Sequence, residues 1–363
     1  MTFIIDAHQD IASNALTFQR DVRVSALQTR ANERGTQIPF WNLGEATVGW
    51  PEYQQGQIAL IFATLWTPPW KFRDGDWDVQ AHANTIEGSR FYRQQLDYYR
   101  RLAEENPDQF QLVLNKKDLA RVLAPWQTPG LVTKPPVGLV VLMEGAEGLR
   151  APEELEELFA LGLRQVGPVW AGTRYCGGTK EDRPFDAEGR RLLEVMASLK
   201  IPLDISHMTE RSALTALDVF DGPVFASHAN AKALLKGSTS QRHLTEPVIH
   251  RLFERGGVIG VVPYNLFLST RWTPSSPREM VTLDHLADQI DYYCQLAGDS
   301  TKTGIGSDLD GGFGFPRIPL EMDTIGDLQK IKPVLENRGY TDKDIQNIFN
   351  LNWTKHLEMS LPA

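Results

Sequence analysis

The sequence has few cysteines, and this scarcity argues against a fold stabilised by disulfides. Cys176 and Cys294 are the only two, and they form no CxxC pair. A disulfide framework is therefore not indicated, and a reducing cytoplasm is the expected location. The N-terminus MTFIIDAHQD has neither a basic region nor a long apolar segment, so no signal peptide is expected.

Long apolar runs and an excess of positive charge are also missing. No uninterrupted apolar stretch approaches the roughly 18–20 residues that cross a bilayer, so no membrane partner is expected. Lys and Arg number 37 against 46 Asp and Glu, which gives a formal net charge of −9. Because phosphate binding needs a basic footprint, and the basic residues here are scattered, nucleic acid is not expected as a partner.

The chain does contain enough apolar material for a large core, with 42% hydrophobic and 23% charged residues. Runs such as VGLVVLM and GVIGVV are typical of parallel strands buried on both faces. Eight short apolar runs of this kind predict strands, namely Thr2–Ile5, Gln57–Leu65, Val137–Met143, Arg164–Val169, Ile201–Ser206, Pro223–Ser227, Gly257–Pro263 and Thr303–Ser307.

Helical segments with recognisable ends lie between most of these strands. Asp186 and Thr245 precede two amphipathic segments and are candidate N-caps. Pro152 is placed in the first turn of PEELEELFAL, and Gly162 is placed to end that helix. Alternating strands and helices indicate repeated βαβ units.

Eight such units predict a single α/β domain, a (β/α)₈ TIM barrel over residues 1–363. The stretches 9–57 and 66–77 are interpreted as excursions from the barrel. The portion after Asp323 is predicted to be helical and to pack on the outside of the barrel.

Histidine and acidic residues recur where the predicted strands end, and barrel strands converge at that face. Three histidines with several carboxylates suit zinc or a similar divalent ion. There are more carboxylates than one tetrahedral ion uses, and two ions about 3.5–4 Å apart would use them better. The residues follow the first, third, fifth, sixth and eighth predicted strands and are Asp6, His8, Asp10, Glu144, His207, His228 and Asp308.

Each of these residues also has an ordinary structural explanation. A single strand-end histidine is more often a hydrogen-bonded structural residue than a ligand, and only the joint occurrence at five strand ends favours a metal site. Cys176 is not marked as a nucleophile by its neighbours. Trp66 and Trp70 fit a pocket wall, a lid or an oligomer contact equally well, and a homodimer is kept as a hypothesis. The other histidines are interpreted as structural: His82, His243, His250, His285 and His356.

The order of motifs through the chain resembles the membrane (renal) dipeptidase family of zinc peptidases. These motifs are DAHQD, MEGAEGL, DISHMTERSALTAL, FASHAN, GIGSDLDG and a terminal Asn352–Trp353 pair. The resemblance implies that His8, Asp10 and Glu144 bind a first zinc ion. It also implies that Glu144, His207 and His228 bind a second zinc ion, so that Glu144 is shared between the two ions.

The resemblance also implies roles for three residues around the metals. Asp308 would sit beside the metal-bound water and manage its proton. Arg242, in STSQRHLTE, falls where the family places an arginine that grips the terminal carboxylate of the substrate. Trp170, in RQVGPVWAGTRY, takes the position of a histidine that many dipeptidases use on the substrate carbonyl. An indole donates one hydrogen bond but carries no positive charge, so an altered substrate range is expected. Ala7 replaces the usual Gly of DAHQD, which is a minor change.

The function expected from the sequence is therefore metal-assisted hydrolysis of a dipeptide or a small N-acyl amino acid. Two alternatives remain open at this point. One is another binuclear-metal amidohydrolase that acts on a lactam, a lactone or a phosphoester. The other is a barrel that binds a metal or small ligand without turning it over.

Overall fold

The computed structural model describes residues 2–128 and 130–363, and within them nine parallel strands form one sheet. The strands are β1 (Ile4–Gln9), β2 (Ile58–Trp66), β3 (Phe110–Leu112), β4 (Val137–Glu144), β5 (Leu163–Gly167), β6 (Leu203–Asp204), β7 (Val224–Phe225), β8 (Ile259–Val261) and β9 (Thr303–Ile305). Eight of them follow one another in the order β7-β6-β5-β4-β2-β1-β9-β8. A bridge between Ala226 and Ile259 joins the two ends of this order and closes the barrel. The (β/α)₈ prediction is confirmed.

The predicted strands differ from the observed ones in two informative places. β1 runs to Gln9 instead of ending at Ile5, because the polar side chains of Asp6 and His8 are buried at the barrel mouth and interrupt the apolar pattern. β3 was not predicted, since it is only three residues long and pairs with the start of β4 outside the main order.

Fifteen α-helices lie within the described ranges. Asp186 caps its helix as predicted, accepting a 2.7 Å hydrogen bond from Gly189 N. Thr245 precedes its helix, but its side chain makes no capping bond. Glu154 begins the helix that was predicted to start at Pro152, and Gly162 follows its end with φ 126°. The helices are α1 (Ile11–Phe18), α2 (Ala26–Glu33), α3 (Ile38–Trp41), α4 (Trp50–Gly56), α5 (Thr85–Glu105), α6 (Lys116–Gln127), α7 (Glu154–Leu161), α8 (Ala187–Leu199), α9 (Glu210–Val219), α10 (Glu246–Glu254), α11 (Asn265–Leu268), α12 (Leu283–Ala297), α13 (Ile331–Asn337), α14 (Asp342–Gln346) and α15 (Asn352–Ser360).

The segment between β1 and β2 carries α1 to α4 and is tied to the loop after β9. Asp310 in that loop accepts hydrogen bonds from Thr47 N at 2.8 Å and Thr47 Oγ1 at 2.6 Å. Arg20 lies 3.5 Å from the same carboxylate and also pairs with Glu33 at 2.7 Å. This buried network holds the segment against the mouth of the barrel, where the strands end.

The C-terminal helix α15 closes the opposite end of the barrel. Trp353 is fully buried, donates to Ile305 O at 3.0 Å and contacts Phe62 with ring centroids 5.3 Å apart. A Cβ on Gly304 would lie 2.3 Å from the Trp353 indole nitrogen, so only glycine fits there. The C-terminal portion is helical, but α15 plugs the floor of the barrel instead of resting on its outer wall. In the described part of the chain, no helix is long and apolar enough to span a membrane.

Candidate metal centre

All six residues predicted to form the metal and proton-transfer site come together at the mouth. Their ligand atoms fall into three overlapping groups, and within each group all atoms lie within 4.8 Å of one another. These groups are His8–Asp10–Glu144, Glu144–His207–His228 and His8–His228–Asp308. The first two are the same sets that the family resemblance implied for two ions.

Glu144, the last residue of β4, lies between the two sets of ligands. Its Oε1 is 2.7 Å from His207 Nε2 and 3.3 Å from His228 Nε2. Its Oε2 is 3.4 Å from His8 Nε2. The two histidine nitrogens on the Oε1 side are 3.0 Å apart, close to the roughly 3.3 Å that tetrahedral bonds of about 2.0 Å would give. One carboxylate therefore offers an oxygen to each set.

Hydrogen bonds to the other ring nitrogens orient two of the histidines. His207 Nδ1 lies 2.8 Å from Thr179 Oγ1, and His228 Nδ1 lies 2.7 Å from Ser227 Oγ. Ser227 in turn donates to Asp204, so the His228 Nδ1–H donates to Ser227 and its Nε2 keeps a free lone pair. Such outer partners fix the tautomer of a metal-binding histidine.

Asp10 and Asp308 complete the centre from the ends of β1 and β9. Thr64 donates a hydrogen bond to Asp10 Oδ1, and Asp308 Oδ1 lies 3.8 Å from His8 Nε2. A Cβ on Gly311 would meet Asp308 Oδ1 at 2.0 Å and Asp10 Oδ2 at 2.6 Å. The absence of a side chain at this position lets both carboxylates reach the same small volume.

The charges of the protein alone do not balance in this buried cluster. Burial, together with Glu144, raises the pKa of Asp10 to about 6, and burial with both neighbouring carboxylates raises the pKa of Asp308 well above its usual range. Burial opposes charge on His8, yet the three carboxylates raise its pKa to about 10. Burial and Arg242 lower the pKa of His207 to about 4.

A cation would relieve this imbalance, since a bound ion is the largest charge in such a site. His8 Nε2 is buried, and although Glu144 Oε2 lies 3.4 Å away, it makes no hydrogen bond of good geometry among the described residues. Imidazole nitrogens with carboxylate oxygens are the ligands that zinc and similar ions prefer. The residues present therefore fit divalent metal ions.

A pocket of about 310 Å³ opens beside these groups. Arg242 lines it and is 4% exposed. Its Nη2 donates to His228 O at 2.7 Å, whereas Nη1 has no partner in the described part of the protein. Burial lowers the pKa of Arg242, but a guanidinium remains charged in proteins. The pocket thus contains a buried cation with unused hydrogen-bonding capacity.

Trp170 forms another wall of this pocket and stands edge-on to Trp66, with ring centroids 5.4 Å apart. Its loop is organised by Glu147, a buried residue that was not singled out from the sequence. The Glu147 carboxylate accepts hydrogen bonds from four successive backbone nitrogens, at 3.0 Å, 3.1 Å, 2.9 Å and 2.8 Å for residues 170 to 173. The only feature of the sequence that could have drawn attention to Glu147 is its place as the second acidic residue of the motif MEGAEGL.

The structure also settles where the remaining candidates lie. Trp66 lines the pocket, whereas Trp70 is 49% exposed and lies outside it. Cys176 is fully buried, and this burial raises the pKa of its thiol, which does not suit a nucleophile. The five other histidines belong to none of the ligand groups found among the described residues.

A closed parallel barrel with three histidines and three carboxylates converging at its mouth defines the class as a metal-dependent hydrolase. The comparison with known families gives the same answer and is more specific. The chain belongs to the membrane dipeptidase family, Peptidase family M19, which matches residues 1–359. The enzyme prediction is confirmed, and the alternative of a barrel without activity is not supported.

Several relatives carry dipeptidase names. An uncharacterized dipeptidase of Schizosaccharomyces pombe is 26% identical over 315 residues, covering 82% of this chain and 68% of the relative. The dipeptidase ataJ of Aspergillus terreus is 25% identical over 328 residues, covering 82% of this chain and 73% of the relative.

Solved structures share the fold over nearly the whole chain. A metallopeptidase from Rhodobacter sphaeroides, liganded with a phosphinate mimic of the dipeptide L-Ala-D-Ala, has a TM-score of 0.79 at 21% identity and covers 99% of this chain and 100% of its own. The probable dipeptidase PvdM from Pseudomonas aeruginosa has a TM-score of 0.76 at 16% identity, with 99% and 95% coverage.

Proposed function

We propose that the protein hydrolyses dipeptides with two zinc ions held by the groups that share Glu144. The observation that carries the proposal is the placement of the two Glu144 oxygens, one toward each set of ligands. His8 and Asp10 would hold one ion with Glu144, and His207 and His228 the other. Bound divalent ions supply Lewis-acid polarisation of a carbonyl and lower the pKa of water toward about 7.

Asp308 is the residue proposed to move the proton. It lines the pocket beside both ligand groups, is 8% exposed and belongs to a group with His8 and His228. Its buried carboxylate can accept a proton from the attacking water and return it to the leaving amine. This is the usual exchange of general base and general acid roles.

Arg242 is proposed to recognise the free carboxylate that ends a dipeptide. A guanidinium can make two parallel charge-assisted hydrogen bonds to a carboxylate, which an ammonium cannot match. The unpartnered Nη1 in the pocket wall supports this role. Lactams, lactones and phosphoesters do not all present a carboxylate, so Arg242 favours the dipeptide over those substrates. An N-acyl amino acid also presents one and remains within the proposed substrate range.

The relatives support the size of the proposed substrate. The Rhodobacter sphaeroides protein binds a mimic of L-Ala-D-Ala, which has the dimensions of two small residues. The dipeptidase name of the Aspergillus terreus relative agrees with this size. Trp170 makes an altered side-chain range the expected difference from relatives that have a histidine there.

The test compares a dipeptide with the same dipeptide amidated at its C-terminus. The wild type should prefer the free acid by tenfold or more in kcat/KM, since a hydrogen bond to a charged group is worth roughly 1.5–3 kcal/mol. Arg242→Ala should remove most of that preference by slowing use of the acid. Arg251→Ala, in an exposed pair with Asp218, is the control and should behave as wild type. Equal turnover of acid and amide by the wild type would contradict the proposed dipeptide recognition.

A further inference from the structure

A second acidic part of the pocket wall contains none of the metal-ligand candidates. The segment between β2 and α5 brings Asp74 and Asp78 to this wall. Asp78 is 3% exposed, and its Oδ2 is buried without a hydrogen-bond partner among the described protein atoms. A buried carboxylate oxygen in this condition is costly unless something compensates it.

Aromatic rings from three separate segments line the same part of the pocket. Trp77 has its ring centroid 5.3 Å from that of Phe18 and 6.0 Å from that of Trp41. The Trp41 and Trp77 rings are nearly parallel, at 9°. All three residues line the pocket together with the two aspartates. Aromatic faces carry negative potential, which attracts cations.

No basic side chain of the described residues pairs with the two carboxylates of this wall, although the Arg20 guanidinium lies 5.5 Å from the ring centroid of Phe18. Arg73 is nearby in sequence, but its guanidinium pairs with Asp76 at 2.8 Å and lies 3.7 Å from the Trp70 ring centroid. Neither Asp74 nor Asp78 has a Lys, Arg or His nitrogen within 4.0 Å among the ion pairs of the described chain. Asp310 in the same pocket differs, because Arg20 lies 3.5 Å from it.

We propose that Phe18, Trp41, Trp77, Asp74 and Asp78 form a subsite for a cationic group of the substrate, an ammonium or a guanidinium. This cation subsite rests on the proposed function, because its occupant is a part of the dipeptide other than the carboxylate assigned to Arg242. Aromatic faces with a desolvated carboxylate are the environment that proteins use to bind organic cations.

The electrostatics of Asp78 agree with a cationic occupant. Burial, together with the charge of Asp74, raises the pKa of Asp78 to about 6, although backbone hydrogen bonds from Asp74 and Gln80 and, more weakly, the charge of Arg73 oppose this. A cation bound against the carboxylate would lower that pKa again, because an opposite charge favours the ionised form. Binding would therefore remove an unfavourable charge arrangement that the free protein carries.

The cation can come from two parts of a dipeptide, its α-ammonium group or a basic side chain of its first residue. One arm of the experiment compares lysyl-alanine with norleucyl-alanine, which has the same chain length without the terminal charge. The other arm compares norleucyl-alanine with its N-acetylated form, which lacks the α-ammonium. For wild type, Asp78→Asn and Asp97→Asn, kcat/KM is measured for each compound. Binding of the same compounds is measured from the change in tryptophan fluorescence.

The wild type should favour the cationic member of one of the two pairs by tenfold or more, and the arm that shows this identifies the source. Asp78→Asn should reduce that preference to threefold or less. Asp97→Asn, which removes an exposed charge on α5 paired with Arg101, should keep the wild-type preference. Absence of a preference in both arms, or a preference unchanged in Asp78→Asn, would overturn the cation subsite.

Cleavage of norleucyl-alanine separates this proposal from the proposed function. If wild type cleaves it but shows no charge preference, the dipeptidase proposal stands and the subsite proposal fails. If no dipeptide is cleaved, the proposed function fails, and the binding measurement still decides whether Asp78 selects a cation.

Discussion

The Glu147 carboxylate holds the backbone of Trp170, whose nitrogen donates to Oε2 at 3.0 Å. Trp170 O then accepts a 3.0 Å hydrogen bond from Thr179 N, and Thr179 Oγ1 contacts His207 Nδ1 at 2.8 Å. One buried acid therefore supports both a wall of the substrate pocket and the hydrogen bond that orients a metal-ligand candidate.

Replacing Glu147 with Ala should disturb both features. Several buried backbone N–H groups would lose their acceptor, at a cost of about 1–3 kcal/mol for each group that stays unpaired. We expect the free energy of unfolding to fall by about 3 kcal/mol in urea denaturation, and KM for a dipeptide to rise while the metals are retained. Glu188→Ala, which removes the partner of Arg174 on the more exposed side of this loop, is the control. Unchanged stability and KM in Glu147→Ala would show that the carboxylate does not organise the loop.

Asp308→Asn should separate proton transfer from metal binding. The asparagine side chain keeps the shape of the residue but cannot accept the proton of the attacking water. We expect kcat to fall by about 10²-fold or more, within the usual range for a general acid–base group, with metal content unchanged. Metal analysis and steady-state kinetics on the same preparation check both points. Loss of metal in this variant would make Asp308 a ligand instead.

The barrel and the cluster of ligands were predictable because parallel-strand cores have a strong sequence signature. Runs such as β4, which is buried along its whole length, stand out from sequence alone. Topology then forces residues near positions 8 and 308 into one volume. The residue types at those strand ends, His8, Glu144 and Asp308 among them, indicated the metal chemistry before any distance was known.

The supporting residues were not predictable, because their roles depend on contacts between distant loops. Glu147 lies in a recognised motif, but nothing in the sequence shows that its carboxylate oxygens accept hydrogen bonds from the backbone of residues 170 to 173. Asp78 likewise gains a proposed role only because the fold brings the segment between β2 and α5 into one pocket with Trp41 and Phe18. The floor formed by Trp353 was missed for the same reason, since amphipathic helices pack equally well on a barrel wall.

Trp170→His should change the substrate range. An imidazole at this position could donate to the developing oxyanion, a contact worth about 3 kcal/mol when one such donor is deleted elsewhere. We expect wild type to hydrolyse ordinary L,L-dipeptides weakly and Trp170→His to improve kcat/KM on at least one of them. The measurement is a panel of dipeptides assayed with both proteins. If wild type already reaches about 10⁶ M⁻¹s⁻¹, well inside the range of efficient enzymes, the tryptophan is no handicap.

We propose that two metal ions, held by the two ligand groups that share Glu144, make this protein a dipeptide hydrolase. The most direct measurement titrates metal-free protein with Zn²⁺ while following hydrolysis of a dipeptide panel. We expect no activity without metal, a rise in activity with added zinc, and saturation at two bound ions per chain. His207→Ala should bind less zinc and stay inactive, because the ligand set would be open. Full dipeptide hydrolysis by the metal-free protein, or no hydrolysis of any dipeptide once two ions are bound, would contradict the proposal of a two-metal dipeptide hydrolase.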